Sequence, residues 1–241
     1  LAIYTDNNER MRIDASGNVG IKTTSPSSYY ADDLVIAAPD EGGITIASSA
    51  TTHRGIMAFA DATSGDGRYA GYVAYDHNNN AMTLNGGGAG TAMMQIDSAG
   101  HITMPLQSAF LVQKSASQDN PASTDAITWD TERFDQNSDF GSNAFTAPVT
   151  GKYLLTMTIR TANADIDSNY IIFRLRTSNR DFDDIIDARA FDFDPTHWVF
   201  QRTVLADMDA NDTASIIYYF QGGAAQLDIG TDSSFSGHLV A

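Results

Sequence analysis

The sequence predicts an all-β protein, and three observations support that class. Short segments in which apolar and polar residues alternate recur along the chain, as expected of strands that bury one face. Clusters of Gly, Asn, Asp and Ser, which favour turns, separate these segments. No segment combines a sustained helical period with helix caps. The pattern therefore favours strands joined by turns along the whole chain.

The first predicted element is a hairpin that occurs twice, at residues 11–21 and 94–104. Each copy consists of a strand, a turn and a second strand, and an aspartate, Asp14 or Asp97, opens the turn ahead of a glycine. Small polar residues and glycine in this order are typical of tight turns. Because a single hairpin is only marginally stable in water, we expect each copy to pack against neighbouring structure, which in a fibre would be other chains.

Short strands are also predicted between the two hairpins, with turn-rich sequence between them. They lie at residues 34–37, 43–47, 55–61, 69–75 and 81–84. The run GGGAG at residues 86–90 has the composition of a phosphate-binding loop, but neither a Lys-Ser or Lys-Thr pair nor a helix signal follows it, so we interpret it as a turn. Pro105 ends this region, and we therefore predict one domain over residues 1–105 and a second over residues 106–241.

The second predicted domain is organised around a strand, a turn and a strand at residues 143–153. Pro148 cannot donate a ladder hydrogen bond and therefore marks a corner, while Gly151 supplies the backbone freedom of a turn. The strand that follows has a period of two, which predicts one face toward a core. The residues on that face are Tyr153, Leu155, Met157 and Ile159.

Residues 9–26 resemble a recurring segment of bacteriophage tail fibres and related virion appendages, and they read ERMRIDASGNVGIKTTSP. Segments at residues 43–46, 59–65 and 68–78 follow in the order in which similar segments occur in such fibres. The resemblance covers residues 1–104. It implies a short-stranded, trimeric fibre shaft and not an enzyme.

Residues 108–241 resemble the complement C1q-like and tumour-necrosis-factor-like jelly-roll family. The residues that carry this resemblance most strongly are FTAPVTGKY at 145–153 and SFSGHLV at 234–240, and ITWD at 127–130 adds to it. The turn DAND at 209–212 departs from the family because it lacks the usual glycine. The resemblance implies a ten-stranded jelly-roll β-sandwich. Heads of this family are trimers that bind ligands and have no catalytic activity.

Two predicted strands, at residues 198–200 and 215–220, are apolar on both faces. Such strands need cover on both sides, which either a second layer of the same chain or a neighbouring subunit can supply. Aromatic residues are enriched at interfaces, and the resembling family packs in this way, so we favour burial by a neighbouring subunit. The predicted trimer-interface residues are Trp198, Phe200, Tyr218 and Phe220.

Acidic residues cluster at residues 181–187, and hard oxygen ligands of this kind suit Ca²⁺. Some relatives in the resembling family bind calcium at or near the trimer axis. The candidate calcium ligands are Asp181, Asp183, Asp184 and Asp187. A solvated acidic loop is the alternative, and it is the interpretation we favour. No other cofactor is expected, because the chain has no cysteine and its five histidines lack metal-binding spacing.

The net charge of −16 disfavours anionic partners. A phosphate backbone and an anionic membrane surface would both be repelled, so we expect no nucleic-acid partner. No apolar run of about 18 residues is present, so we expect no membrane insertion. The chain begins at Leu1, and we expect it to be a fragment of a longer protein.

The residues and the resemblances together predict a phage virion fibre fragment that is not an enzyme. We expect a homotrimer on the virion surface, outside the cell, that contacts other virion proteins and whose head binds a host-surface receptor, with a glycan favoured over a protein. Ligand contacts are expected on loops, at residues 162–168, 177–184 and 221–225, with Arg176 and Arg180 as candidate donors. Two alternatives stay open: a structural fibre whose head mainly drives trimerisation, and a glycan-degrading enzyme.

Overall fold

The computed structural model describes residues 1–38, 40–87, 90, 92–223 and 227–241. Regular structure in this part of the chain consists of β-strands and three short 3-10 turns, without an α-helix. No described helix is long and apolar enough to cross a membrane. The predicted all-β class is confirmed.

Two compact units divide the chain, Leu1–Met57 with Ala74–Asn80, and Ala58–Val73 with Ala81–Ala241. The first unit contains the strands β1 (Ala2–Thr5), β2 (Asn8–Ile13), β3 (Val19–Ile21) and β4 (Leu34–Ile36), with a 3-10 turn at Pro26–Ser28. These strands form one sheet in that order, in which β4 is parallel to β3 and the other pairs are antiparallel. The predicted boundary after residue 105 stays a prediction.

One predicted strand is absent from the structure. Residues 43–47 carry no regular element. Their apolar positions Ile44 and Ile46 are 62% and 47% exposed, so the alternation that predicted a strand does not mark a face buried within this chain.

Five further short strands precede the sandwich: β5 (Arg54–Phe59), β6 (Gly71–Asp76), β7 (Ala81–Gly86), β8 (Met94–Ile96) and β9 (Ile102–Thr103), with a 3-10 turn at Gly65–Tyr69. Strands β7, β8 and β9 pair antiparallel in that order. Gly87 has a φ angle of +76°, which suits the predicted glycine-rich turn. Residues 88 and 89 of that turn lie outside the described residues.

The predicted hairpin repeat is confirmed, because both copies build the same turn. Asp14 Oδ1 accepts hydrogen bonds from the backbone amides two and four residues further on, at 2.8 and 3.0 Å. Asp97 Oδ1 accepts the equivalent bonds at 2.8 and 2.9 Å. The glycine in each turn, Gly17 or Gly100, has a φ angle of +96° or +87°, a conformation that disfavours other residues.

The remaining twelve described strands belong to the C-terminal sandwich. They are β10 (Ala109–Gln113), β11 (Gln118–Asp119), β12 (Thr131–Asp135), β13 (Phe140–Gly141), β14 (Ala144–Thr146), β15 (Gly151–Ala162), β16 (Tyr170–Thr177), β17 (Asp181–Ile186), β18 (His197–Met208), β19 (Thr213–Gln221), β20 (Asp228–Ile229) and β21 (Ser234–Leu239), with a 3-10 turn at Ala188–Ala190.

The order of these strands is that of a jelly roll. The first sheet contains β10-β21-β15-β18, and the second contains β14-β19-β16-β17. The chain crosses between the two sheets, and its first strand, β10, lies beside its last strand, β21. This is the arrangement of a jelly roll, in which two Greek keys form a double sheet. The predicted jelly-roll sandwich is therefore confirmed. The sandwich has twelve strands rather than the predicted ten, and three of them, β11, β13 and β20, are only two residues long.

The core of the sandwich confirms the predicted alternation along β15. All four residues of the predicted inward face are fully buried: Tyr153, Leu155, Met157 and Ile159. Each apolar side chain buried in this way contributes about 1.5–3 kcal/mol relative to an exposed one. The Tyr153 hydroxyl donates a hydrogen bond to the Val149 carbonyl at 2.7 Å, which holds the predicted corner in place. Burial raises the pKa of that hydroxyl.

The sandwich has two ends, which we name the base and the apex. Strand β15 begins at the base and reaches the apex after twelve residues, a distance of roughly 40 Å. At the base, the Gln107 side chain donates to the Leu239 carbonyl at 2.7 Å, so the segment that enters the sandwich is attached there. The base also holds the turns at 147–150, 178–180 and 209–212, and the apex holds the loops at 120–125, 163–169 and 187–196.

The closing strand β21 requires a glycine at position 237 because two core side chains lie against it. Gly237 lies between Phe110 and Leu155 in the register of the first sheet. A Cβ atom on Gly237 would lie 2.6 Å from Leu155 Cδ2 and 2.8 Å from Phe110 Cε1, closer than packed atoms approach. Only a residue without a side chain fits between these two core residues.

We therefore predict that Gly237→Ala lowers the free energy of unfolding by about 1–3 kcal/mol, because it overpacks the core. Urea unfolding followed by circular dichroism measures the change. Gly141→Ala is the matched control, since its Cβ would meet nothing within 4 Å. Equal midpoints for the two variants would contradict the prediction.

Candidate protein-binding interface

Across β10, β21, β15 and β18, three successive rows on the outer face of the first sheet carry no charged residue, and we call this surface the uncharged face. At its edge, Arg133 of the neighbouring strand β12 donates a hydrogen bond to Gln113. The register places one residue from each of β10, β21, β15 and β18 in every row. Its members are Ala109, His238, Leu154 and Leu205; Leu111, Ser236, Thr156 and Thr203; and Gln113, Ser234, Thr158 and Gln201. In a chain with a net charge of −16, such a surface is suited to contact with another protein.

The polar groups of the uncharged face are compatible with burial. Thr156 and Thr203, side by side in its central row, hydrogen-bond to each other through their hydroxyls at 3.0 Å. Part of their hydrogen-bonding capacity is therefore satisfied before any partner arrives. Leu205 is 59% exposed, which leaves a large apolar side chain in water in the single chain.

A groove crosses the uncharged face near the base. It encloses about 740 Å³ and is bounded on one side by Ile102, Met104 and Phe134. All three of these side chains are largely exposed, Phe134 to 50%. Uncovered apolar groups of this size at one place are typical of a surface that another protein covers.

The outer face of the second sheet differs, because ion pairs run across it. Asp183 lies opposite Arg174, and Asp181 lies opposite Arg176. Arg174 Nη2 donates to Asp183 at 2.7 Å, and its guanidinium carbon lies 4.6 Å from the centre of the Tyr219 ring. The hydrogen bonds from Arg174 hold the pKa of Asp183 below its usual range and raise the pKa of Arg174. The charges on this face are therefore compensated within the chain.

Two of the four predicted trimer-interface residues are already buried within the single chain. Phe200 and Tyr218 are 5% and 2% exposed and belong to the core of the sandwich. Burial raises the pKa of Tyr218. Phe220 is partly buried against the same core, and Trp198 is 38% exposed at the apex. The second layer of the same chain, the alternative to subunit burial, thus covers Phe200 and Tyr218.

Sequence reasoning missed the uncharged face because serine and threonine resemble ordinary surface residues. A signal was present, however. Every second residue of 154–158, 201–205 and 234–238 is uncharged, on the side of each strand that faces away from the core. In a strongly acidic chain, neighbouring strands in which every second residue is uncharged identify such a face.

The structure does not group the four candidate calcium ligands, and calcium binding stays a prediction. Asp181 and Asp183 point to the outer face and pair with arginines, while Asp184 follows Asp183 and alternation turns it to the opposite face. Asp187 caps the 3-10 turn by accepting a hydrogen bond from the Arg189 amide. Across the described ranges, no three acidic, histidine or cysteine side chains are grouped to hold a metal ion.

The structure places both candidate receptor residues toward the base. Arg176 lies on β16 rather than on a loop and pairs with Asp181 at 3.1 Å. Arg180 follows in the base turn and pairs with Asp207 at 2.7 Å. Among the candidate loops, 162–168 lies at the apex, and residues 224–225 of the loop at 221–225 lie outside the described residues.

Solved structures of C1q-like and TNF-like heads are similar to this chain. The globular domain of a zebrafish complement 1qA protein is 16% identical, and the match covers 56% of this chain and 98% of that one with a TM-score of 0.45. Murine APRIL is 10% identical over 56% of this chain and 99% of that one, with a TM-score of 0.40. No protein-family model and no curated protein matches the chain. The strand order of the sandwich establishes the jelly roll, and the resemblance of residues 1–104 to phage fibres stays a prediction.

The ion pair of Asp183 predicts an acid-dependent loss of stability. Because the folded-state pKa of Asp183 is lowered, the pair stabilises the fold above the unfolded-state pKa of about 3.9, and this stabilisation is lost as the pH falls through the folded-state pKa. We expect Asp183→Asn to cost about 1 kcal/mol or less at pH 7, since Asp183 is 35% exposed and solvent screens the pair.

Thermal melts between pH 2 and pH 7 measure this effect, and the melting curves of the variant and the unmodified chain should converge at the acid end. Asp192→Asn, which removes an exposed loop carboxylate, is the control. A difference between Asp183→Asn and the unmodified chain that is independent of pH would contradict the assignment.

Proposed function

We propose that this chain is a fragment of a bacteriophage virion fibre, a homotrimer whose sandwich forms a head that binds a host-surface receptor. The proposed location is the virion surface, in contact with other virion proteins, and we propose no catalytic activity. The observation that carries the proposal is the amount of apolar surface that the single chain leaves uncovered in its first 105 residues.

The first 105 residues contain almost no core of their own. In the described part of this region, the buried hydrophobic residues are Val35, Ala74 and Ala81. Large apolar side chains are exposed throughout it, including Ile3 (48%), Phe59 (62%) and Ile102 (58%). Burial of apolar surface is the main favourable term in folding, so this region needs cover from other chains, as a shaft of several strands wound together would supply.

The uncharged face gives the heads a means of association. Each head presents one such face, and in a cyclic trimer each subunit meets its neighbours so that the ring closes without a free surface. Three heads held together also present three equivalent receptor sites, and their combined binding exceeds that of a single site. The resemblance to trimeric phage fibres and trimeric C1q-like heads agrees with this arrangement.

A structural role is the second candidate, and the uncharged face favours it. A head that mainly aligns and locks three shaft strands would need this face and no receptor site. Binding of the labelled full chain to an array of neutral, sialylated and uronate-containing glycans, and to intact bacteria, distinguishes the two. Trimerisation without any binding would support the structural role and would overturn the receptor-binding one.

We predict that the unmodified chain is a trimer and that Thr156→Asp shifts it toward monomer. The substitution places an unpaired carboxylate at the centre of the uncharged face, where burial of a charge is costly. Analytical ultracentrifugation over a dilution series measures the shift.

Ile185→Asp is the matched control for this prediction. Ile185 is 60% exposed and belongs to β17 in the second sheet, away from the uncharged face. The control variant should remain trimeric at the same concentrations. A monomeric unmodified chain at micromolar concentration would refute the trimer, and equal dissociation of the two variants would refute the placement of the interface.

A further inference from the structure

The apex carries an aromatic surface that neither the core nor the uncharged face uses. The Phe191 and Trp198 rings meet edge to face, with centres 5.0 Å apart and planes at 65°. Trp198 is 38% exposed, and Phe193, in the loop between them, is 67% exposed. We call these three residues the apical aromatic surface.

Contacts within the sandwich hold this surface in shape. Asp194 accepts a hydrogen bond from the Ile166 amide at 3.1 Å, which ties the loop at 187–196 to the neighbouring apical loop. The Thr161 hydroxyl donates to the Trp198 carbonyl at 3.2 Å. The cavity beneath, lined by Ile186 and other apolar residues, holds about 10 Å³, which is at the lower limit for a single water molecule. The Phe191 and Trp198 rings therefore rest on packed side chains.

The position of the apical aromatic surface leaves it accessible in the proposed trimer. Trp198 pairs with Thr161 in the register of β15 and β18, and both alternate with the residues of the uncharged face. Its side chain thus points away from that face, at the end of the sandwich opposite the Gln107 attachment. Association through the uncharged face leaves this end of each head open.

The charge around these rings restricts the ligand. The three apical loops contain six aspartates and one arginine, namely Asp125, Asp165, Asp167, Asp187, Asp192, Asp194 and Arg189. A sialylated or uronate-containing ligand would be repelled from this end of the molecule. Carboxylate oxygens accept hydrogen bonds from hydroxyl groups, and exposed aromatic rings supply an apolar surface with little conformational entropy to lose. A neutral sugar presents both hydroxyl groups and an apolar C–H face.

We propose that the apical aromatic surface binds a neutral sugar residue of the receptor. This proposal rests on the receptor-binding function proposed above. The C–H face of the sugar packs on the Trp198 and Phe193 rings. Asp192, exposed beside Phe193, accepts hydrogen bonds from its hydroxyl groups. Three such sites in one trimer convert weak individual binding into stable attachment.

The test uses the full chain on the array of neutral, sialylated and uronate-containing glycans. We expect binding to neutral glycans and none to acidic ones. Phe193→Ser should weaken the apparent affinity roughly tenfold, the typical effect of truncating an aromatic anchor. Val149→Ser, which changes a 47% exposed apolar residue at the base, should leave the affinity unchanged.

Ultracentrifugation and thermal melts check that Phe193→Ser is folded and trimeric, which we expect because Phe193 is 67% exposed. Equal affinities for Phe193→Ser and Val149→Ser would overturn the apical site, as would a preference for acidic glycans. Binding to intact bacteria but to no glycan on the array would also overturn the apical site while the receptor function stands. Failure to bind both bacteria and glycans would refute the receptor function and, with it, the apical site.

Discussion

The architecture of the head depends on the alternation of side chains along β15. Tyr153, Leu155, Met157 and Ile159 occupy the middle of the core, and every one of them is fully buried. The residues between them, Leu154, Thr156 and Thr158, are thereby turned outward into the uncharged face. Because the period of a strand is two, a slip of one residue would exchange these sets and bury threonines in place of the core. One register thus determines both the stability of the sandwich and the composition of its candidate interface.

The two outer faces of the sandwich divide its surface chemistry. The second sheet compensates its carboxylates locally, since Arg174 and Arg176 lie opposite Asp183 and Asp181. The uncharged face of the first sheet instead omits charged residues, with Ser and Thr at positions where an ordinary surface would carry Lys or Glu. Both arrangements reduce repulsion in an acidic chain. Only the uncharged face of the first sheet, however, can be desolvated at little cost.

The fold was predictable where local chemistry decides it. The Asp-led turns with Gly17 and Gly100 and the alternation after Gly151 are short-range patterns, and the structure confirms them. Residues 43–47 and the role of Phe200 and Tyr218 were not predictable, because burial there depends on which segment lies above or beside the strand, and a pattern along one strand does not contain that information. The apical aromatic surface was missed for a related reason: Phe191 and Phe193 stand in an acidic segment, and only the structure shows that the Phe191 ring packs against Trp198.

In the proposed trimer, the small core of the first 105 residues would also set an order of events in folding. The sandwich has a complete core within one chain and can fold as a unimolecular process. In the proposed trimer, the remaining segment can acquire its cover only after three chains have met. In that trimer, joined heads would hold those segments at an effective concentration on the order of millimolar, so a slow three-body encounter would become an intramolecular one. Winding of the shaft would then start next to the heads, at Met104, and proceed toward Leu1.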